Sequence, residues 1–181
     1  GPGGLFTLAL AAIDIALWDI KGKALNLPVA TLAGGHRTRV PTYASGALMR
    51  QFSLDQVLKA APRLVERGFR QMKMQLVLPG DTSPAREIER ARLVRQAIGP
   101  DIELMYDGSA GFDLLDAIYV GRALHEAGFM WYEEPMREFN IDAYRRLRDK
   151  VDIPLLSGET SDGAHFNIAD FIAFDACEML R

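Results

Sequence analysis

The sequence predicts an α/β barrel of parallel strands, on three observations. Short apolar runs alternate with helix-length stretches along most of the chain. Three of these runs close on an acid, Asp107, Glu133 and Glu159, each 26 residues from the next (133 − 107 and 159 − 133). No Gly-x-Gly-x-x-Gly turn follows an early strand, which removes the main sign of an open dinucleotide-binding sheet. A repeat of this length holds one strand and one helix. It therefore places the three carboxylates side by side at the C-terminal ends of neighbouring strands, the face on which such barrels build their sites.

The elements follow in order. Residues 5–25 read as a helix with a broad apolar stripe of Leu8, Ala11, Ala12, Ile15, Leu17 and Trp18, ended by Asn26-Leu-Pro28. Gly34-Gly35 marks a turn, and Val40 to Ala44 reads as the first strand. Leu54 to Glu66 is helical and stops at Gly68, and Phe69 to Val77 is a strand. Ser83 caps a helix over Pro84 to Ala97. After the strand Ile102-Glu-Leu-Met-Tyr-Asp107, Leu114 to Ala127 is helical. Phe129-Met-Trp-Tyr-Glu133 is a strand, followed by a helix near 141–150. The strand Pro154-Leu-Leu-Ser-Gly-Glu159 precedes a short helix near 164–173, and Glu178 to Arg181 begins a sixth strand.

A complete TIM-type (β/α) barrel has eight such units in about 250 residues. This chain supplies five to six of them in 181 residues, so the expected fold is a partial barrel and the chain is expected to be a fragment of a longer protein. Residues 1–35 form the helix leading into the barrel and residues 36–181 the partial barrel itself.

The composition is that of an ordinary soluble protein, 49% hydrophobic and 25% charged with net charge −3. The 21 Lys and Arg are spread among 24 acids, so no nucleic-acid surface is expected. No stretch approaches the roughly 18 uninterrupted apolar residues of a membrane span. The lone cysteine, Cys177, excludes an internal disulfide and fits a reducing cytoplasm. It reads as a small buried hydrophobe.

Three anions on one face repel unless a cation joins them. An all-oxygen set selects Mg²⁺, with Mn²⁺ the alternative. On the strand Gln71-Met-Lys-Met-Gln-Leu76, alternation puts Gln71, Lys73 and Gln75 on one face and the apolar residues on the other. Lys73 aimed at the acids is either a structural counter-ion or a catalytic group. Glu134 points away and reads as an ion-pair partner. Trp131, Met72 and Met74 read as packing between barrel and helices. Tyr43 and Ser45, at the end of the first strand, are candidate substrate contacts, and His165 is a weaker one.

Several of these segments carry a resemblance. Ala11-Ala-Ile-Asp-Ile-Ala-Leu-Trp-Asp-Ile-Lys-Gly-Lys-Ala-Leu-Asn-Leu-Pro28 with Leu32-Ala-Gly-Gly35 resembles the helix that leads into the barrel of the enolase superfamily, in its mandelate racemase/muconate lactonizing branch. Tyr106-Asp107, Tyr132-Glu-Glu-Pro135 and Ser157-Gly-Glu159 resemble that branch's three metal-ligand positions. The resemblance implies that Asp107, Glu133 and Glu159 bind Mg²⁺. It also implies removal of the proton α to a substrate carboxylate, through an enediolate, in a homo-oligomer acting on a small carboxylic acid.

The chain departs from the family pattern in three respects. Lys73 matches the first lysine of the usual Lys-x-Lys, but Gln75 stands where the second, basic lysine is common. An amide is no general base near neutral pH. Ser109 replaces the frequent Asn after the first ligand and is, with Tyr43 and Ser45, a candidate substrate contact. The N-terminal capping domain and the late strands that supply a histidine base are expected to lie outside the chain. Loss of the second base disfavours proton exchange on both faces, so the expected reaction is dehydration of a sugar acid, with Lys73 orienting the substrate carboxylate. A racemase or epimerase, a cycloisomerase, and an inert fragment or interaction subunit are the alternatives.

Overall fold

The computed structural model describes residues 3–77, 83–161 and 165–181. The first two residues and Ala164, the expected start of the last helix, lie outside the described residues.

The first helix, α1 (Gly4–Leu25), ends at Asn26, whose left-handed backbone turns the chain into a short helix not expected from the sequence, α2 (Val29–Leu32). The alternation then runs α3 (Leu54–Glu66), β1 (Gln71–Gln75), α4 (Pro84–Ile98), β2 (Glu103–Asp107), α5 (Leu114–Glu126), β3 (Phe129–Glu133), α6 (Ile141–Arg148), β4 (Leu155–Ser157), α7 (His165–Ala173) and β5 (Met179–Leu180). Local chemistry sets the helix starts. Ser53 and Gln56 close a reciprocal capping box on α3, while Ser83, Asp113 and Asn140 each accept from a backbone N–H of the first turn of α4, α5 and α6.

The five strands are all parallel and lie in chain order, β1-β2-β3-β4-β5. A doubly wound sheet reverses its order at a switch point; this sheet never reverses. Each helix crosses over the same side, and the sheet is the curved wall of a barrel. Met72, Met74, Leu104, Tyr106, Phe129, Tyr132 and Leu155 turn toward those helices and form the core with Val57, Ala61, Ile88, Val94, Val120, Leu124, Tyr144, Leu147 and Phe171.

Three expectations are corrected here. Val40 to Ala44 is not a strand. Only Ala44 pairs, in a single parallel bridge to Met72, giving its N–H to Gln71 O and accepting from Lys73 N. Pro41 has no N–H to give a ladder and Val40 is exposed, so nothing drives the remainder into the sheet. The strand before Glu159 stops at Ser157 and leaves Glu159 on a turn. In β3 a bulge intervenes: Leu104 pairs with Phe129 but Tyr106 with Tyr132, two steps against three. The extra residue puts Phe129 and Tyr132 both on the helix side and restores Glu133 to the inner side.

Candidate metal centre

Register brings the first residues of the site together. Gln75, Asp107 and Glu133 are neighbours across β1, β2 and β3, at one level at the strands' C-terminal ends. Gly108 continues this level. A Cβ there would sit 2.9 Å from Pro135 Cα and 3.1 Å from Glu134 O, so only glycine lets the two chain ends pass so closely. Beyond it, Ser109 folds back with φ 46° and gives both its N–H (2.8 Å) and its hydroxyl (3.0 Å) to Asp107 Oδ1. The Ser109 hydroxyl thus gives its proton to Asp107 and keeps its oxygen as an acceptor.

Charge is balanced by two cations of the protein. Lys73 Nζ lies 2.6 Å from Glu133 Oε2 and 3.8 Å from Asp107 Oδ2, with its side chain only 9% exposed. Burial works against the ammonium, but the hydrogen bond and charge of Glu133, with Asp107 and Tyr43 behind them, outweigh it and hold its pKa above the ordinary lysine value. Arg181, at the end of β5, places Nη1 2.7 Å from Glu133 Oε1 and 3.1 Å from Glu159 Oε2. Glu133 is wholly buried and shared between the two cations, whereas the Glu159 side chain is half exposed on its turn. Among the described residues, no group of three or more His, Cys, Asp or Glu side chains stands close enough to hold a metal as arranged. The even spacing in sequence therefore does not translate into three equivalent carboxylates: two are level, and the third reaches them through Arg181. Three carboxylates are still the all-oxygen kind of donor set that a hard divalent cation takes, although as arranged Lys73 and Arg181 supply the positive charge that buried Glu133 requires.

Gln75 is fixed at both ends of its amide. It accepts from Arg50 Nε at 3.0 Å and donates to Asp107 Oδ2 at 3.3 Å. Tyr43 sits on this inner face with its ring 5.6 Å from the Lys73 ammonium and edge-on to Trp131 at 5.9 Å. Trp131 consequently lines the inside of the wall, on the face of Glu133 two residues on, and its expected place between barrel and helices is corrected. Ser45 begins the turn whose carbonyl accepts from Leu48 N. Glu134, read as an ion-pair partner, instead accepts from Thr160 N (3.2 Å) and Thr160 Oγ1 (3.1 Å), tying the turn that carries Glu159 to β3. Burial raises its pKa against those hydrogen bonds. His165 is exposed and its ring lies 4.1 Å from that of Phe166. Cys177 is half-buried and its thiol is pushed up to about 11, chiefly by burial, which fits an inert packing residue.

Sequence reasoning missed Arg50, Arg90 and Arg181. Arg90 of α4 pairs with Glu87 and donates to Gln75 O at 2.7 Å, while Tyr106 gives its hydroxyl to Glu87, a buried polar brace behind β1 and β2. Only the helical i, i+3 spacing of Glu87 and Arg90 hinted at it. Arg181 gave no signal beyond its place on a late strand.

Known proteins match this arrangement. Residues 56–181 fit the enolase C-terminal domain-like family, and residues 4–34 fit the mandelate racemase/muconate lactonizing enzyme N-terminal domain. The chain belongs to the mandelate racemase/muconate lactonizing branch of the enolase superfamily. The N-terminal match corrects the expectation that this domain lies wholly before the chain. L-talarate/galactarate dehydratase of Salmonella typhimurium is 35% identical over 97% of this chain and 45% of its own length. D-galactarolactone cycloisomerase of Agrobacterium fabrum is 37% identical over 91% of this chain and 43% of its own. A mandelate racemase/muconate lactonizing protein of Paracoccus denitrificans, complexed with magnesium, superposes with a TM-score of 0.85 at 35% identity, covering all of this chain and 49% of that one. This chain spans about half the length of the relatives it matches. Those relatives are sugar-acid dehydratases, cycloisomerases and racemases. No helix among the described residues is long and apolar enough to cross a membrane.

Proposed function

We propose that the whole protein is a Mg²⁺-dependent lyase that removes the proton α to the carboxylate of a sugar acid and eliminates water. Asp107, Glu133 and Glu159 would hold the ion, and Mn²⁺ is the other hard cation the donors admit. When bound, the divalent ion stabilises the negative charge that builds on the substrate carboxylate. Lys73, enclosed beside Asp107 and Glu133, orients that carboxylate and helps neutralise it. Ser109 keeps Asp107 in its rotamer. Tyr43 and Trp131 form an aromatic wall beside Lys73, and Ser45 stands at the rim. The acids, the magnesium-bound relative and the sugar-acid dehydratases among the relatives support this reading.

One observation carries the choice of reaction. The Gln75 amide is clamped between Arg50 and Asp107, and neither an amide nor an arginine takes a proton near neutral pH. The β1 side of the site thus has Lys73 and no second base. The general base is a histidine from a later strand, acting on one face of the substrate only. The 37% identity to a cycloisomerase favours that reaction as the second reading.

Two measurements test the proposal on the whole protein. Isothermal titration with Mg²⁺ is expected to show binding that Asp107→Asn weakens at least tenfold; equal binding by both proteins refutes the ligand assignment. Incubation of sugar acids in D₂O is expected to give a dehydrated keto acid without washout of deuterium into recovered substrate from both faces. Two-faced exchange would mean a racemase.

A further inference from the structure

The charged side chains of the site form a row across the barrel wall, and one of them is unbalanced. Lys73 and Arg181 are both taken up by Asp107, Glu133 and Glu159. Arg50 stands at the other end of the row, beyond the Gln75 amide that separates it from Asp107. It is half-buried, and among the described residues it meets no carboxylate. A guanidinium in such a place is stabilised by an anion.

The turn that carries Arg50 is fixed. Leu48 is fully buried, its carbonyl accepts from Gln75 N at 3.1 Å, and its own N–H goes to Ser45 O at 3.1 Å. The Arg50 guanidinium uses only Nε, on Gln75 Oε1. Among the described residues its Nη1 and Nη2 groups have no partner, and these two grip a carboxylate end-on. Gln75 and Asp107 are register partners on adjacent strands, and Glu133 lies one strand further. Strands stand about 4.8 Å apart, so Arg50 is roughly 5 to 10 Å from a substrate carboxylate held beside Asp107, Glu133 and Lys73. One carboxylate cannot touch both places, but a short carbon chain spans them. The hydroxyls of a sugar would leave the Arg50 charge unanswered. A second carboxylate matches it in charge and in its two-pronged shape.

We propose that Arg50 is the specificity residue for a second substrate carboxylate, so that the substrate is a sugar diacid gripped at both ends. This rests on the sugar-acid reading above and names the substrate class within it. Gln75 is then the spacer of the site. It holds Nε so that the fork stays presented, and, being neutral, it competes for neither carboxylate.

The test uses the whole protein with Mg²⁺ and six-carbon sugar acids in pairs of like configuration, with one carboxylate or two. The pairs are gluconate and glucarate, mannonate and mannarate, and galactonate and galactarate. For at least one pair the wild-type kcat/KM is expected to be at least tenfold higher for the diacid, a comparison that needs no variant. Loss of a charge-assisted grip costs about tenfold or more. Arg50→Met is therefore expected to cut the diacid-to-monoacid ratio at least tenfold, with Arg50→Lys, which keeps a charge but no fork, between them. A preference for the monoacids, or a ratio unchanged in Arg50→Met, overturns the role of Arg50 and leaves the reaction standing. Turnover of none of the acids refutes the reaction, and calorimetric titration with adipate and hexanoate, which have no hydroxyl to eliminate, then decides Arg50 separately. Tighter binding of adipate that Arg50→Met abolishes supports the second-carboxylate site. No such advantage in the wild type, or one that survives in Arg50→Met, refutes it.

Discussion

At the scale of single residues, Glu133 dominates the site. It is wholly buried, and its charge is tolerable because Lys73 and Arg181 each take one of its oxygens. Taking away one partner of a buried pair leaves an uncompensated charge and costs about 3–5 kcal/mol, far more than the pair itself contributes. Because Arg181 remains, Lys73→Met is expected to destabilise the protein by about 3 kcal/mol, at the lower end of that range. Urea denaturation of the two proteins measures it. A loss under about 1 kcal/mol would mean that Arg181 alone suffices for Glu133. The identities of these acids were legible in the sequence, since each closes an apolar run. So was Lys73 as a cation aimed at them, but the arginine partners were not. An arginine on a loop, such as Arg50, or at a strand end, such as Arg181, has no periodic signature, and only folding shows which acid it meets.

At the scale of elements, helices were read more accurately than strands. Helix α3 was expected over 54–66 and is found there, because its limits are set by local chemistry: the Ser53 capping box opens it and Gly68 follows its end. Removing the cap hydroxyl leaves an N–H of the first turn unpaired, at a cost of about 1 kcal/mol. Ser53→Ala is expected to lower stability by that amount with no change in Mg²⁺ affinity, checked by thermal melting and calorimetry; no change in melting would show that the box contributes nothing. Strands lack such punctuation. The run before Ala44 has apolar residues but joins the sheet at one bridge, and the run before Glu159 loses its last two residues to a turn. In β3 the bulge shifts the alternation within the strand, so Phe129 joins Tyr132 on the helix side although a strict two-residue period counted back from Glu133 puts it inside.

At the scale of the molecule, helix α1 stands out. Only Gly22 is buried among its 22 residues, while Leu5, Phe6, Leu8, Ile13, Ile15, Leu17 and Ile20 are exposed. A helix apolar on all sides is stable in water only when covered. Its neighbour among the described elements is α2, and the outer edges of β1 and β5 are likewise without a partner strand beyond the Ala44 bridge. The 181-residue chain produced alone is therefore expected to self-associate, eluting in gel filtration well ahead of a 20.1 kDa monomer. A clean monomer would show that α1 finds cover within the chain itself.

What the sequence determined by itself was the repeating unit: helix limits, parallel winding, and three acids with Lys73 and Gln75 on the inner side, all consequences of short-range periodicity and capping. What only the tertiary structure decided was how those residues share charge. Glu133 is level with Asp107 because strand register aligns them; Glu159 comes from a turn, and Arg181 closes the gap between Glu133 and Glu159. Those relations join residues from 22 to 48 positions apart (181 − 159 and 181 − 133). Such separations are fixed by the curvature of the sheet and the meeting of opposite charges in a water-poor interior, which no local pattern encodes.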